Sequence, residues 1–73
     1  GEVSMKEITI TTEFIKLDQL LKLTGIAHTG GQAKMIIKEG MVKVNGEIAQ
    51  ERGKKIRKND LVEVEGYGSY RII

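Results

Sequence analysis

The stretch Thr29–Gly46, TGGQAKMIIKEGMVKVNG, decides how this chain folds. Ala33, Ile36 and Ile37 follow helical spacing, which predicts a short helix with one face on a core. Thr29 stands in the N-cap position, and Gln32 three residues later completes a capping box. Gly40 ends the helix, Val42 and Val44 alternate as a strand, and Asn45-Gly46 is a strong two-residue hairpin signal. Lys34 and Lys38, four apart, share one line of the helix face opposite the apolar residues. Lys43, between the two valines, points the other way from them. Three cations on a helix–hairpin unit suit a polyanion-binding module.

Working outward, Glu7–Thr12 (EITITT) alternates Ile8 and Ile10 with polar residues and predicts a half-buried strand. The following FIKLDQLLKLT carries Phe14, Leu17, Leu20 and Leu21 at helical spacing, with Thr11 or Thr12 placed to cap a helix and Gly25 placed to end it. Beyond the hairpin, Gln50–Lys58 reads as a basic loop anchored by Ile56, and Asn59-Asp60 as a turn. Leu61–Glu65 alternates as a strand, Gly66 and Gly68 bracket a turn, and Ser69–Ile73 reads as a last strand. The order β-αα-ββ-ββ predicts one α+β domain over residues 1–73, a two-helix hairpin on a small, mostly antiparallel sheet. Gly1–Ser4, ahead of Met5, read as an expression scar.

Composition narrows the function. A 73-residue chain leaves little room for a deep catalytic cleft, and its size is near the lower limit for a self-sufficient core. The chain has no cysteine, which excludes disulfides and thiolate metal sites and fits a reducing cytoplasm. No apolar run approaches the roughly 18 residues of a membrane span. The net charge of +2 hides a strong asymmetry. Residues 34–58 hold eight Lys/Arg against three acids, whereas 59–73 hold one arginine against three acids. Positive charge concentrated in the middle third suits phosphate binding.

Each candidate group has a plainer reading beside the functional one. Gly30-Gly31 either expose helix N–H groups to a phosphate or make a sharp turn. Lys34 and Lys38 either meet successive phosphates or form a solvated face. In the run Arg52, Lys54, Lys55, Arg57 and Lys58, part of which is expected to meet a ligand, alternation around Ile56 lets only some side chains face the same way as Lys43; Arg52, Lys54 and Lys55 are the candidates. His28 stands alone, without a nucleophile or carboxylate at triad spacing. Asp18, Glu39, Glu63 and Glu65 form no acid/base pair, so the residues point away from an enzyme.

The run Lys16-Leu17-Asp18-x-x-Leu21, then Gln32-Ala33-Lys34-x-x-Ile37-x-x-Gly40-x-Val42-x-Val44-Asn45-Gly46, and later Asn59-Asp60, resembles the S4 RNA-binding domain family. The pattern covers about residues 14–65. Arg52-Gly53-Lys54-Lys55 and the ending GYGSYRII are most similar to its stand-alone bacterial YaaA-type members. The resemblance implies the S4-like αL motif and contacts to structured RNA, ribosomal RNA above all, through Lys16, Gln19, Thr29, Gln32, Lys34, Lys38, Lys43 and Asn45. Many family members have Ser-Arg where this chain has Gly30-Gly31, so a forked phosphate donor is missing there. The expectation is a cytoplasmic, monomeric RNA-binding protein of ribosome assembly or translation, without cofactor, metal, membrane or small-molecule substrate. The rival expectation is a protein-interaction adaptor that docks a partner at strand edges or at Tyr67–Ile73.

Overall fold

The hairpin forms as Asn45-Gly46 requires. In the computed structural model, which describes residues 5–73, both adopt positive φ (52° and 87°), the signature of a type I′ turn. This turn joins β3 (Val42–Val44) to β4 (Glu47–Ile48). The other strands are β1 (Met5–Ile8), β2 (Phe14–Lys16), β5 (Lys55–Arg57), β6 (Leu61–Val64) and β7 (Gly68–Ile72), and the helices are α1 (Leu17–Leu23) and α2 (Gly30–Lys38). The scar assigned to Gly1–Ser4 lies outside the described residues.

Five strands form one sheet in the order β1-β7-β6-β3-β4, antiparallel except for the parallel β1–β7 pair. Its inner face contributes Val42, Val44, Val62, Val64, Tyr70 and Ile72 to a core shared with Leu17, Leu20, Leu21, Ala33 and Ile37 of the helices. Burying each large aliphatic side chain there contributes about 1.5–3 kcal/mol. The α+β architecture of two packed helices on a mostly antiparallel sheet is as expected from the sequence.

Three local expectations need correction. The first helix starts at Leu17, and Phe14–Lys16 instead pair antiparallel with β5 as a separate two-stranded sheet. Neither Thr11 nor Thr12 caps α1; the Thr12 hydroxyl donates to the Phe14 carbonyl at 2.7 Å. The first N–H groups of the helix donate to the carbonyls of Lys54 (from Leu17, 2.9 Å) and Arg52 (from Asp18, 3.0 Å). A distant stretch of backbone therefore caps α1. Secondly, the Gln50–Lys58 loop contains strand β5, with Ile56 fully buried between exposed Lys55 and Arg57. Thirdly, the strand placed at Glu7–Thr12 runs from Met5 to Ile8. Ile10 remains buried and its N–H still donates to the Ile73 carbonyl, but the chain bends at Thr11–Glu13 to enter the second sheet.

Candidate nucleic-acid interface

Every candidate residue from the sequence is exposed, so burial removes none of them. Position sorts them instead. The tightest group gathers around the start of α1. Antiparallel register sets Lys16 directly opposite Lys55, and the α1-capping bonds bring Arg52 and Lys54 to the same end of the molecule. Gln19 follows one residue into the helix, its N–H held by the Asp18 carboxylate at 2.8 Å. Two lysines opposed across a ladder are mutually destabilising. The Lys55 ammonium also lies 4.8 Å from the centre of the Phe14 ring, a cation–π contact worth about 0.5–1 kcal/mol at an exposed site. An arrangement that concentrates like charge on a rigid two-stranded platform is one that a polyanion would relieve.

Two members of this platform were not among the sequence candidates. Phe14, expected in the core, is half-buried and supports Lys55. Arg57 stands opposite Phe14 in the register and leaves β5 on the same side as Lys55. The alternation Lys55-Ile56-Arg57 was the available signal; its partner strand was hidden because Phe14 continues the helical period of the leucines.

The second group is the start of α2. The Thr29 hydroxyl accepts from the Gln32 N–H at 3.1 Å, and the Gln32 side-chain oxygen accepts from the His28 N–H at 2.8 Å. The capping box thus forms with its return bond shifted one residue upstream. Both caps use acceptors, so the Thr29 O–H and the Gln32 amide hydrogens remain as donors. Lys34 and Lys38 project from the exposed side of the helix whose other side buries Ala33 and Ile37. Their Cα positions are separated by about 6 Å along the axis.

Gly30 and Gly31 begin this helix without positive φ. A Cβ at Gly30 would meet nothing within 4 Å, and one at Gly31 would meet only the Thr29 hydroxyl at 3.9 Å. Neither the turn nor any packed neighbour in the chain requires glycine at these positions. The sharp turn is made elsewhere, at Gly25 with φ of +84°.

The remaining two candidates are placed apart. Lys43 has Glu63 opposite it on one side and Ile48 on the other, and leaves the sheet on the face away from Val42, Val44 and the helices. Asn45 is held within the fold. Its N–H donates to the Leu61 carbonyl (2.8 Å), its side-chain oxygen accepts from the Leu61 N–H (2.9 Å), and its amide nitrogen donates to the Asp60 carboxylate (3.1 Å). The other Asp60 oxygen accepts from the Arg57 N–H at 2.8 Å. The Asn45-Gly46 and Asn59-Asp60 motifs are therefore two halves of one network that locks the hairpin to β5 and β6.

Among the described residues no group of three His, Asp or Glu side chains could hold a metal ion, and no helix is long and apolar enough to cross a membrane. In the Tyr67–Ile73 docking segment Ser69, Tyr70 and Ile72 are buried, Gly68 and Arg71 are half-buried, and Tyr67 and Ile73 are exposed.

Comparison with known proteins matches residues 8–73 to the S4 domain family. The "Probable ribosome maturation protein RlbA" of Bacillus subtilis is 44% identical over 66 residues, covering 90% of this chain and 93% of that protein. The solution structure of YbcJ from Escherichia coli superposes with a TM-score of 0.68 at 30% identity, covering all of this chain and 90% of the other; it is described as revealing an αL motif involved in RNA-binding. The "Ribosomal large subunit pseudouridine synthase B" of Bacillus subtilis is 47% identical over 45 residues, which cover 56% of this chain but 18% of the synthase.

Proposed function

The chain belongs to the S4 domain family, and from that premise we propose that it is an RNA-binding protein whose contact surface is the basic end built by β2, β5 and the exposed sides of α1 and α2. The observation that carries this reading is the Lys16–Lys55 pair, two cations opposed across a ladder beside Arg52 and Lys54. Phosphate contacts neutralise that charge and release counterions, which supplies most of the binding free energy. Thr29, Gln32, Lys34 and Lys38 extend the surface along α2, and the bare backbone at Gly30-Gly31 lets a sugar–phosphate chain approach closely. Lys43 and Asn45 act at its margin, Asn45 by holding the hairpin in place.

The ligand is structured RNA, recognised by shape and phosphate spacing, because short side chains do not reach base edges in a deep A-form major groove. The likeness to a protein named for ribosome maturation favours ribosomal RNA, and with it a cytoplasmic, monomeric protein of ribosome assembly or translation. The reading is of a binding module rather than an enzyme: the synthase match is confined to 18% of that protein's length.

The test is binding of a structured ribosomal RNA fragment by fluorescence anisotropy across a salt series. Four to six phosphate contacts give a log–log slope of about −3 to −5. A flat salt response, or full affinity in a folded variant with Lys16 and Lys55 both changed to Glu, sinks the assignment.

A further inference from the structure

Phe14 is a large apolar side chain on a charged face, and the fold does not use its ring in the core. Strand alternation sends Ile56 into the core and Ile15 against it. Phe14, Lys16, Lys55 and Arg57 therefore share the opposite, outward face of the β2–β5 ribbon. Among the described residues, Phe14 neither belongs to the core cluster nor packs against it. The Lys55 ammonium instead lies over its ring, 4.8 Å from the centre. Of the other aromatic residues, Tyr70 is in the core and Tyr67 lies in the β6–β7 turn, so Phe14 is the aromatic of the basic end. Its neighbour in the chain, Glu13, and its cross-strand partner, Arg57, line an open concavity of about 490 Å³ with Thr11, Thr12 and Lys58. That lining sets two cations against one carboxylate. The Thr12 hydroxyl, donating to the Phe14 carbonyl, fixes the bend beside the ring. A large apolar group outside the core and surrounded by cations is better placed for a ligand than for folding.

We propose that Phe14 is a stacking site for one unpaired nucleobase of the bound RNA, with the phosphates on either side of that base held by Lys55, Arg57 and Lys58. The subsite rests on the RNA-binding reading and names the feature of the RNA that it takes, a base turned out beside a duplex. Bases inside a closed A-form duplex present no free face to a ring on a strand, whereas a splayed base does. Stacking also outweighs the contact it replaces. A base on an aromatic ring contributes about five- to 150-fold in affinity, against about two- to fivefold for an exposed lysine over a ring. The displaced Lys55 ammonium is then free to meet a phosphate. An acidic peptide would satisfy the cations and leave the ring unused.

The probes are three RNA hairpins that differ at one position: a bulged adenosine, a bulged abasic nucleotide, or no bulge. The abasic nucleotide keeps the sugar and the phosphate and lacks only the base. In fluorescence anisotropy the full chain binds the adenosine bulge about tenfold tighter than the abasic one, which binds like the unbulged hairpin. The ring protons of Phe14, the one phenylalanine of the chain, move upfield with the adenosine bulge alone. Phe14→Leu, checked for folding by its amide spectrum, reduces the tenfold ratio to below about twofold, and Phe14→Tyr restores it. Equal affinity of the natural chain for the two bulges overturns the stacking site and leaves the RNA reading standing, and it needs no variant. A Phe14→Leu chain that weakens both bulged hairpins alike makes the ring a prop for Lys55 and overturns the site as well. Failure to bind any of the three hairpins overturns the RNA reading together with the subsite.

Discussion

Two strands of this molecule present a cation by the same pattern and give it opposite surroundings. In β5, Lys55 is exposed beside buried Ile56, and the residue across the ladder from it is Lys16. In β3, Lys43 is exposed between buried Val42 and Val44, and the residue across from it is Glu63. Alternation alone makes both lysines look like ligands for a polyanion. The cross-strand partner decides which one carries unneutralised charge, because opposed like charges raise the local potential and opposed unlike charges cancel it. A lysine's role here is a property of the strand pairing more than of the strand.

The largest expected effect breaks that comparison directly. Changing Lys16 and Lys55 together to Glu lowers affinity for structured RNA roughly 100-fold, about 3 kcal/mol, since two phosphate contacts become repulsions. Lys43→Glu lowers it less than about threefold by the same assay, since only long-range, screened attraction is lost. Equal losses at the two sites would show that the outer face of the sheet also meets RNA.

Asn45→Ala comes next and separates holding from touching. It removes the side-chain bonds to Asp60 and Leu61 and puts a Cβ residue without a compensating polar group at φ of 52°. The expected loss is about 2 kcal/mol of folding stability, a drop in Tm of roughly 8–16 °C. RNA affinity of the folded variant changes less than about twofold, measured well below its Tm. A variant with wild-type stability and weakened RNA binding would make Asn45 a contact residue.

Gly31→Ala has a smaller effect on stability. The helix start has ordinary φ and open space for a Cβ, so stability rises by about 0.5–1 kcal/mol in a thermal or urea melt. RNA affinity falls at the same time if the backbone there is approached by the ligand. Gain in both would leave the glycines without a functional reason.

What was legible in the sequence was local. The helix α2 with its Thr29 cap, the Gly40 stop and the Asn45-Gly46 hairpin rest on contacts within a few residues and appear where the pattern places them, and the strand read at Leu61–Glu65 runs from Leu61 to Val64. The pairing of β2 with β5 joins segments about forty residues apart, and nothing in Phe14-Ile15-Lys16 announces it. Phe14 sits three residues before Leu17, so helical periodicity extends through a stretch that is a strand. The same non-local pairing hid Phe14 and Arg57 from the candidate surface, and a second one, β3 with β6, sets Glu63 opposite Lys43. Resemblance to the S4 family named the fold and supplied most of the candidate residues proposed for the surface, but it did not show which cations share an end of the molecule.

The smallest effect is the sharpest test of the comparison. Lys16→Glu alone turns an opposed like-charge pair into an opposed unlike pair with Lys55. An exposed cross-strand pair of this kind contributes about 0.5 kcal/mol, so Tm rises by roughly 2–4 °C at low salt. The gain disappears near 1 M salt, where the screening length is about 3 Å. Glu63→Lys makes the reverse change on the other face, opposing Lys43 with a lysine, and loses a similar amount. RNA affinity should fall about tenfold in Lys16→Glu, and Glu63→Lys should not lower it. A protein stabilised by a change that weakens its binding carries charge strain at its binding surface, and Lys16→Glu shows whether the Lys16–Lys55 pair is that strain. If the melting temperature does not move, the two lysines already avoid each other in solution and their register stores no strain.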